Sequence, residues 1–349
     1  MENQKVTAII GGQFGSEGKG AIVAKIASQY DIHVRVGAPN AGHSFYFANK
    51  TWKMQSIPCG WRNYASTLVI GAGAVINLDI LRREIEEIAA FDSHITSRLF
   101  IDGNAAIIDP ILHDEGHTEG EMHKRIGSTG EGVGLCRQAR IARNPQHLRQ
   151  FRDICRNEPY WAQFQRDTVS FLNSEYQEGQ SILLEGAQGI GLSLIHGDWP
   201  YCTSTDCGAA QLCADSGLSP LILTDVLAVF RTHPIRVAGN SGKLYNEIDW
   251  NILSKLIGKD VCEKTTVTKK IRRVGMWDES LALKCKMLNR PTQLAVTFVD
   301  YIDKDDEGVA EYERLSKQTK AFVAYLEDLM GAPVKFIGTG TPAFTIIER

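Results

Sequence analysis

A chain of 349 residues can bury a large core, and by ordinary domain sizes it makes one large domain or two modest ones. Its formal net charge of -3, with no long basic run, argues against a general nucleic-acid binder. No apolar run reaches the roughly 18 residues of a membrane span and no charged-then-apolar leader opens the chain, so a cytoplasmic protein is expected. The eight cysteines are scattered without a CxxC pair and read as small buried residues, not as a zinc site or a disulfide frame.

The first predicted unit is Val6 to Gly20, VTAIIGGQFGSEGKG. An apolar strand runs into glycines and then into the start of a helix that continues through Ile22 to Ala27. Backbone N–H groups and the helix dipole at such a junction favour phosphate, and Lys19 adds a mobile cation. The stretch is not a standard P-loop, because Gln13 stands at its first glycine position and Gly20 follows the lysine where Ser or Thr belongs. A phosphate cradle and an ordinary glycine-rich turn both fit these residues.

A short β-like run, His33 to Gly37, ends in the loop APNAGHS, Ala38 to Ser44. Asn40 and His43 flank a glycine there, an arrangement suited to a ligand or to a plain surface turn. Thr67 to Ile70 is a further strand, and Asp79 to Ala89 has helical spacing of Ile80, Leu81, Ile85 and Ile88. This alternation of strand, glycine turn and amphipathic helix predicts an α/β fold with a mainly parallel central sheet flanked by helices. His113 and His117 sit four apart in DPILHDEGH, but Pro110 and Gly116 weaken a helix there and a polar loop is preferred to a zinc site.

Arg125 to Gly134, RIGSTGEGVG, is either a second phosphate cradle or a flexible lid. Arg137, Arg140 and Arg143 follow it and either complete such a site or solvate a helix. Asn144 to Gln180 reads as polar and helical. Ser181 to Gly189, SILLEGAQG, repeats the strand-into-glycine pattern and sets Gln188 at a carboxyl strand edge, where parallel α/β sheets bind ligands. Tyr201 to Thr205 supplies hydroxyls for phosphate, and Leu221 to Val229 is a further strand leading to Arg231, His233 and Arg236. In Lys264 to Asp278, KTTVTKKIRRVGMWD, four cations within five residues suit a dicarboxylate or simply a solvated face. Leu294 to Asp300 and Val334 to Gly340 are the last strands, with a charged helical layer from Asp303 to Asp328 between them. With no repeat, low-complexity tract or clear linker, one domain over 1–349 with peripheral excursions is expected.

Five loops in this order, GQFGSEGKG, NAGH, GSTGEGVG, EGAQG and KKIRRVG, resemble those of adenylosuccinate synthetase, and the likeness runs from Val6 to Arg349. The chain looks shorter than typical members. The resemblance implies a P-loop-NTPase-like fold, a homodimer and a Mg2+-dependent carbon–nitrogen ligase that works in two steps. A nucleoside triphosphate phosphorylates O6 of a purine monophosphate, and the amine of L-aspartate then displaces that phosphate.

By position, the resemblance assigns Gly15, Ser16, Glu17, Gly18, Lys19 and Gly20 to the phosphate loop, and Lys19 and His43 to transition-state charge, His43 as an acid. Asn40, Ser44, Ser128, Thr129 and Thr203 fall on nucleotide contacts, as does Arg143, reaching in from the partner subunit. Gln188 matches the side chain that holds the base near O6, and Gly42 a magnesium contact through its carbonyl. Val237, Thr268, Lys270 and Arg272 fall on the aspartate loop, with Lys270 where the family has arginine. Asp300 and Gly340 fall on the donor base.

Two positions depart from the family pattern. Ser16 stands where the family has the aspartate that takes the N1 proton and ligates magnesium. A shorter side chain there leaves space for a substituent at C2, as in guanine. Phe298, in Thr297-Phe298-Val299-Asp300, stands where a lysine packs on the donor guanine, which points to a donor site that accepts adenine. Both changes resemble the branch found in bacteriophages whose DNA carries diaminopurine, whose members join dGMP to aspartate. That reading makes ATP the donor, with dATP or GTP as possible substitutes, and sets the enzyme in a host cytoplasm. Plain adenylosuccinate synthesis from IMP and GTP is the alternative, and a non-catalytic nucleotide-binding protein the second. No nucleic acid or membrane partner is expected.

Overall fold

The computed structural model describes residues 5–109, 126–128, 130–146, 148–264, 270–340 and 345–349. Its central sheet contains β1 (Val6–Gly11), β2 (Ile32–Arg35), β3 (Thr67–Ile70), β4 (Leu99–Asp102), β5 (Gln165–Arg166), β6 (Ile182–Glu185), β7 (Asp225–Arg231), β8 (Gln293–Thr297), β9 (Val334–Gly338) and β10 (Ile346–Glu348). Their order across the sheet is β5-β4-β3-β2-β6-β1-β7-β8-β9-β10. Every pairing is parallel except that of β9 with β10. The longer helices are α1 (Lys19–Ile26), α2 (Leu78–Ala89), α3 (Val133–Ile141), α4 (Thr168–Gln177), α5 (Ala209–Ser216), α6 (Trp250–Ile257), α7 (Glu279–Asn289) and α8 (Lys317–Met330).

Successive side chains of a strand point to opposite faces, and here both faces are covered. Ile9, Leu183, Leu227 and Ala295 enter one apolar cluster, while Val6, Ala8, Ile10, Leu184, Ala228 and Val296 enter the other. A sheet buried on both sides needs apolar residues at every position, which is why its central strands read as continuous runs instead of alternating ones.

The register brings the carboxyl ends together. Ile9 pairs with Glu185, Gly11 with Val229, Arg35 with Glu185 and Arg231 with Thr297. The loops after β1, β2, β6, β7, β8 and β9 therefore leave from one edge, and β1 lies at the centre of it.

Several boundaries differ from the sequence reading. Leu221 lies in a short 3-10 turn, Pro220–Ile222, and is 93% exposed, so the strand begins at Asp225. The 144–180 stretch holds α4 but also β5 and two shorter helices, Phe151–Cys155 and Pro159–Ala162, which bury Phe151 and Trp161. Between Asp303 and Ser316 the chain forms only single 3-10 turns before α8 begins. The DPILHDEGH histidines, His113 and His117, lie outside the described residues. Among the described residues no helix is long and apolar enough to cross a membrane.

Gly20 shows how tightly this edge is packed. A methyl group on it would come within 2.8 Å of His43 Cβ and 3.1 Å of Ser44 N and Cys59 Sγ. Gly20→Ala is expected to lower unfolding free energy by about 1–3 kcal/mol, as overpacking does. Urea denaturation measures it, and an unchanged midpoint would show that the neighbours yield freely.

Candidate active site

The loop between β1 and α1 folds around a buried carboxylate. Glu17 Oε1 accepts the N–H groups of Gln13 at 3.1 Å and Gly15 at 2.7 Å. Its Oε2 holds Lys19 Nζ at 2.7 Å, and the ammonium also donates to the Gln188 carbonyl at 2.5 Å. Lys19 and Glu17 are both buried, at 2% and 0% exposure. Gly18, with φ of 85°, takes the left-handed turn that starts α1 without a side-chain cap. Thr297 Oγ1 donates to the Glu17 carbonyl at 2.8 Å, fastening the loop to the end of β8.

A second buried network lies beside it. Arg35 and Glu185 face each other across β2 and β6, and Arg35 Nη1 donates to Glu185 Oε1 at 2.8 Å. The same oxygen lies 2.5 Å from His43 Nδ1, and Glu185 Oε2 accepts the Cys59 N–H at 2.7 Å. Arg35 also donates to the Ala41 carbonyl at 2.8 Å, holding the 38–43 loop down. Glu185 thereby fixes the ring of His43 with Nδ1–H as donor, leaving Nε2 for another partner. Burial, then the charge of Arg35, push the His43 pKa down to about 4, so the ring is neutral at pH 7. Although burial alone would raise it, Arg35 and His43 hold Glu185 at about 2. The residue signals were present in the sequence, a charge in the apolar run IHVR and another at the end of ILLE, but the reading passed over Arg35 and Glu185.

Ser16 stands in the same loop with φ of 61°. Its Oγ accepts from Arg272 Nη1 at 2.8 Å, and its carbonyl accepts from Arg231 Nη1 at 3.2 Å. Arg231, fully buried, also pairs with Glu263, which accepts from the Tyr301 hydroxyl at 3.2 Å. The ring of Phe298 lies under the Arg231 guanidinium, 4.0 Å from its carbon. Gln188, with φ of 62°, stands against the loop, and a methyl on Gly15 would come within 3.5 Å of its Oε1. Gln13, Arg231 and Glu263 are further members that the sequence reading did not assign.

Asp300 and Gly340 meet at the ends of β8 and β9. A methyl on Gly340, which has φ of 85°, would fall 2.7–2.8 Å from the Asp300 carboxyl. Asp300 Oδ2 lies 3.5 Å from Lys259 Nζ, and its buried Oδ1 has no hydrogen-bond partner. Burial raises the Asp300 pKa to about 6, against the opposing pull of Lys259.

The remaining predicted residues are more dispersed. Ser128 Oγ accepts from Gly130 N at 3.3 Å, and the adjoining Gly127 packs on Ser241, whose hydroxyl donates to the Val237 carbonyl at 2.6 Å. The GSTGEGVG loop and the Val237 loop are thus neighbours. Thr203 is half-buried and donates its N–H to the Leu192 carbonyl at 2.8 Å. Asn40 and Ser44 are half-buried, whereas Gly42, Arg143 and Lys270 are exposed. Thr129 and Thr268 lie outside the described residues.

Two donor sets bear on a metal. His43, Cys59 and Glu185 offer ligand atoms within 4.8 Å of one another. The Arg35 guanidinium on Glu185 and the upward shift of the buried Cys59 thiol do not suit a cation there. The Ser16 hydroxyl and Gly42 carbonyl are hard oxygen donors of the kind Mg2+ accepts while keeping waters and substrate phosphates. The set is thin, since the only carboxylate of the loop, Glu17, is engaged by Lys19 and two N–H groups.

A parallel sheet whose carboxyl edge carries a glycine loop, a buried lysine and an oriented histidine defines a phosphate-handling α/β enzyme. Comparison with known proteins makes this more specific. The adenylosuccinate synthetase family pattern matches residues 8–165 and 146–307, and an adenylosuccinate synthetase from Pyrococcus sp. is 35% identical over 344 residues, 98% of this chain and 97% of the relative. One from Methanococcus aeolicus is 34% identical over 345 residues. The chain belongs to the adenylosuccinate synthetase family and is a carbon–nitrogen ligase. It spans nearly the full length of these archaeal relatives, so it is not short beside them.

In structure it is similar to a fully ligated adenylosuccinate synthetase from Plasmodium falciparum, at TM-score 0.86 and 21% identity over 99% of this chain and 100% of that one. It is also similar to the succinoaminodeoxyadenylate synthetase of cyanophage S-2L bound to dGMP and dATP, at TM-score 0.82 and 26% identity over 99% of this chain and 95% of that one.

The buried histidines give a pH prediction. Burial lowers His33, His43 and His233 from 6.5 to about 4. The unfolded chain therefore takes up protons that the folded one refuses, and stability falls as pH drops from about 6.5 to 4. Glu185, depressed from 4.5 to about 2, extends the loss with the same sign between 4.5 and 2. Asp300, raised from 3.8 to about 6, acts with the opposite sign in part of this window, but three histidines outweigh it, so urea midpoints across pH 8 to 4 are expected to decline below about 6.5, and a flat profile would contradict the neutral histidines.

Proposed function

We propose that this enzyme joins L-aspartate to C6 of dGMP with ATP as donor, giving N6-succino-2-amino-2'-deoxyadenylate for diaminopurine DNA. The observation that carries the reading is Ser16. Its hydroxyl, held by Arg272 next to Gly15, which stands against Gln188, is smaller than a carboxylate, and guanine differs from hypoxanthine by an amino group at C2. The likeness to the cyanophage enzyme bound to dGMP and dATP supports it. The second reading, IMP with GTP, is favoured by the archaeal relatives, which are more alike in sequence.

In the first step O6 attacks the γ-phosphorus, the bond to the bridging oxygen breaks, the diphosphate leaves, and the N1 proton passes to water or to a phosphate oxygen of the donor. In the second, the aspartate amine attacks C6 and the new phosphate departs, which is easier than expelling oxide. Lys19 turns from Glu17 to the phosphoryl oxygens. His43, oriented by Glu185, meets the transferring group through Nε2, and an approaching dianion raises its proton affinity so that it can act as acid. Gln188 holds the base near O6. Thr203, Ser128 and Thr129 bind the 5'-phosphate, together with Arg143 from a second copy in a homodimer, where its exposure makes it available. Val237, Thr268, Lys270 and Arg272 take the aspartate carboxylates, and Asp300 and Gly340 border the donor base. Ser16 and Gly42 would hold magnesium, which when bound would supply neutralisation of charge on the transferring group.

Phosphate release with Mg2+, aspartate and ATP is expected to be faster with dGMP than with IMP, and the reverse order would overturn the reading. Ser16→Asp should shift preference toward IMP in the same assay. Lys19→Ala and His43→Ala should each lower turnover by about 10²-fold or more, as groups acting on transition-state charge do. Full activity in both would remove their assigned roles.

A further inference from the structure

We propose that Lys259 sets the choice of donor base by occupying one oxygen of Asp300, so that the carboxyl presents an edge complementary to adenine instead of guanine. The inference rests on the reading of Asp300 as a donor-base contact.

A free carboxylate offers two acceptors side by side. The Watson–Crick edge of guanine, with adjacent N1–H and N2–H donors, matches both. That of adenine carries one donor, the 6-amino group, next to the lone pair of N1, so a bare carboxylate satisfies one contact and sets an oxygen against a lone pair. At this site the two oxygens differ. Oδ1 is buried without a partner, whereas Oδ2 lies 3.5 Å from Lys259 Nζ. The ammonium is fixed from its other side by Glu307 at 2.8 Å and stands just past the end of α6, after Gly258.

A free acceptor beside a cation with N–H bonds to give is the pattern adenine needs. Gly340 closes the approach from the end of β9, where even a methyl group would strike the carboxyl. The base therefore reads Asp300 edge-on, and the state of each oxygen decides specificity. Phe298 does not take part in this pattern, because its ring is engaged with Arg231.

The test compares kcat/KM for ATP and GTP in the full-length enzyme and in Lys259→Met, Lys259→Arg, Glu307→Gln and Asp300→Asn, with KM for aspartate as a control. The unmodified enzyme should prefer ATP. Lys259→Met should shift the ratio toward GTP by about tenfold or more, the scale of one hydrogen-bonded contact. Lys259→Arg should keep the ATP preference, and Glu307→Gln, which loosens the lysine without removing it, should shift the ratio less. KM for aspartate should not move. An unmodified enzyme that prefers GTP, or a Lys259→Met ratio that stays put while Asp300→Asn changes it, would overturn the role of Lys259 and leave the donor-base reading standing. A ratio unmoved by Asp300→Asn would sink that reading and this inference with it.

Discussion

Glu185 is the residue on which the active edge depends. A carboxylate with 1% exposure is costly unless its charge and lone pairs are matched, and here the matching joins three elements. Arg35 from β2, His43 at the start of the strand His43–Phe47, and the Cys59 N–H beyond the hairpin that this strand forms with Lys50–Met54 all converge on its two oxygens. The parallel register of β2 on β6 makes this possible, because it puts Arg35 and Glu185 opposite each other. Removing any one partner leaves the others unsatisfied in a dry interior, so the orientation of the His43 ring depends on the central sheet as well as on its own strand.

Glu17 does the same for the phosphate loop. Two loop N–H groups and Lys19 fold inward onto it, so these contacts give the loop an internal anion around which to fold. Both carboxylates are thus internal templates. Each holds a functional cation or imidazole in a low-dielectric setting where its interaction with transferred charge is strong.

The loops and the parallel strands were legible in the sequence because their signals are local. A buried strand is a short apolar run, and a backbone turn toward a ligand needs glycine. Gly18 and Gly20 lie in a loop found that way, whereas the place of Gly340 came only from the family resemblance. The partners were less legible. Arg35, Glu185, Arg231 and Lys259 act through neighbours far along the chain, and no spacing rule links residue 35 to 185 before the strand order is known. Leu221 shows the opposite error, an apolar residue read as buried that the fold leaves in solvent. Glu84 is similar in kind. A charge between the apolar positions of α2, it is buried and accepts three N–H groups from Gln55, Ser56 and Ile57.

The two departures from the family pattern, at residues 16 and 298, are not independent in space. The Arg231 guanidinium donates to the Ser16 carbonyl while its face lies over the Phe298 ring, and Glu263 neutralises it from the side. One buried arginine thus joins the phosphate loop to the segment that leads to Asp300. A lysine at 298 would set a second cation against this guanidinium, which Glu263 alone would have to balance, whereas an aromatic ring stabilises the charge it touches. A carboxylate at 16 would instead stand beside two guanidiniums, those of Arg231 and Arg272, and would add to the negative charge that Glu263 supplies. The two positions are therefore coupled through Arg231, and a change at either one alters the field felt at the other.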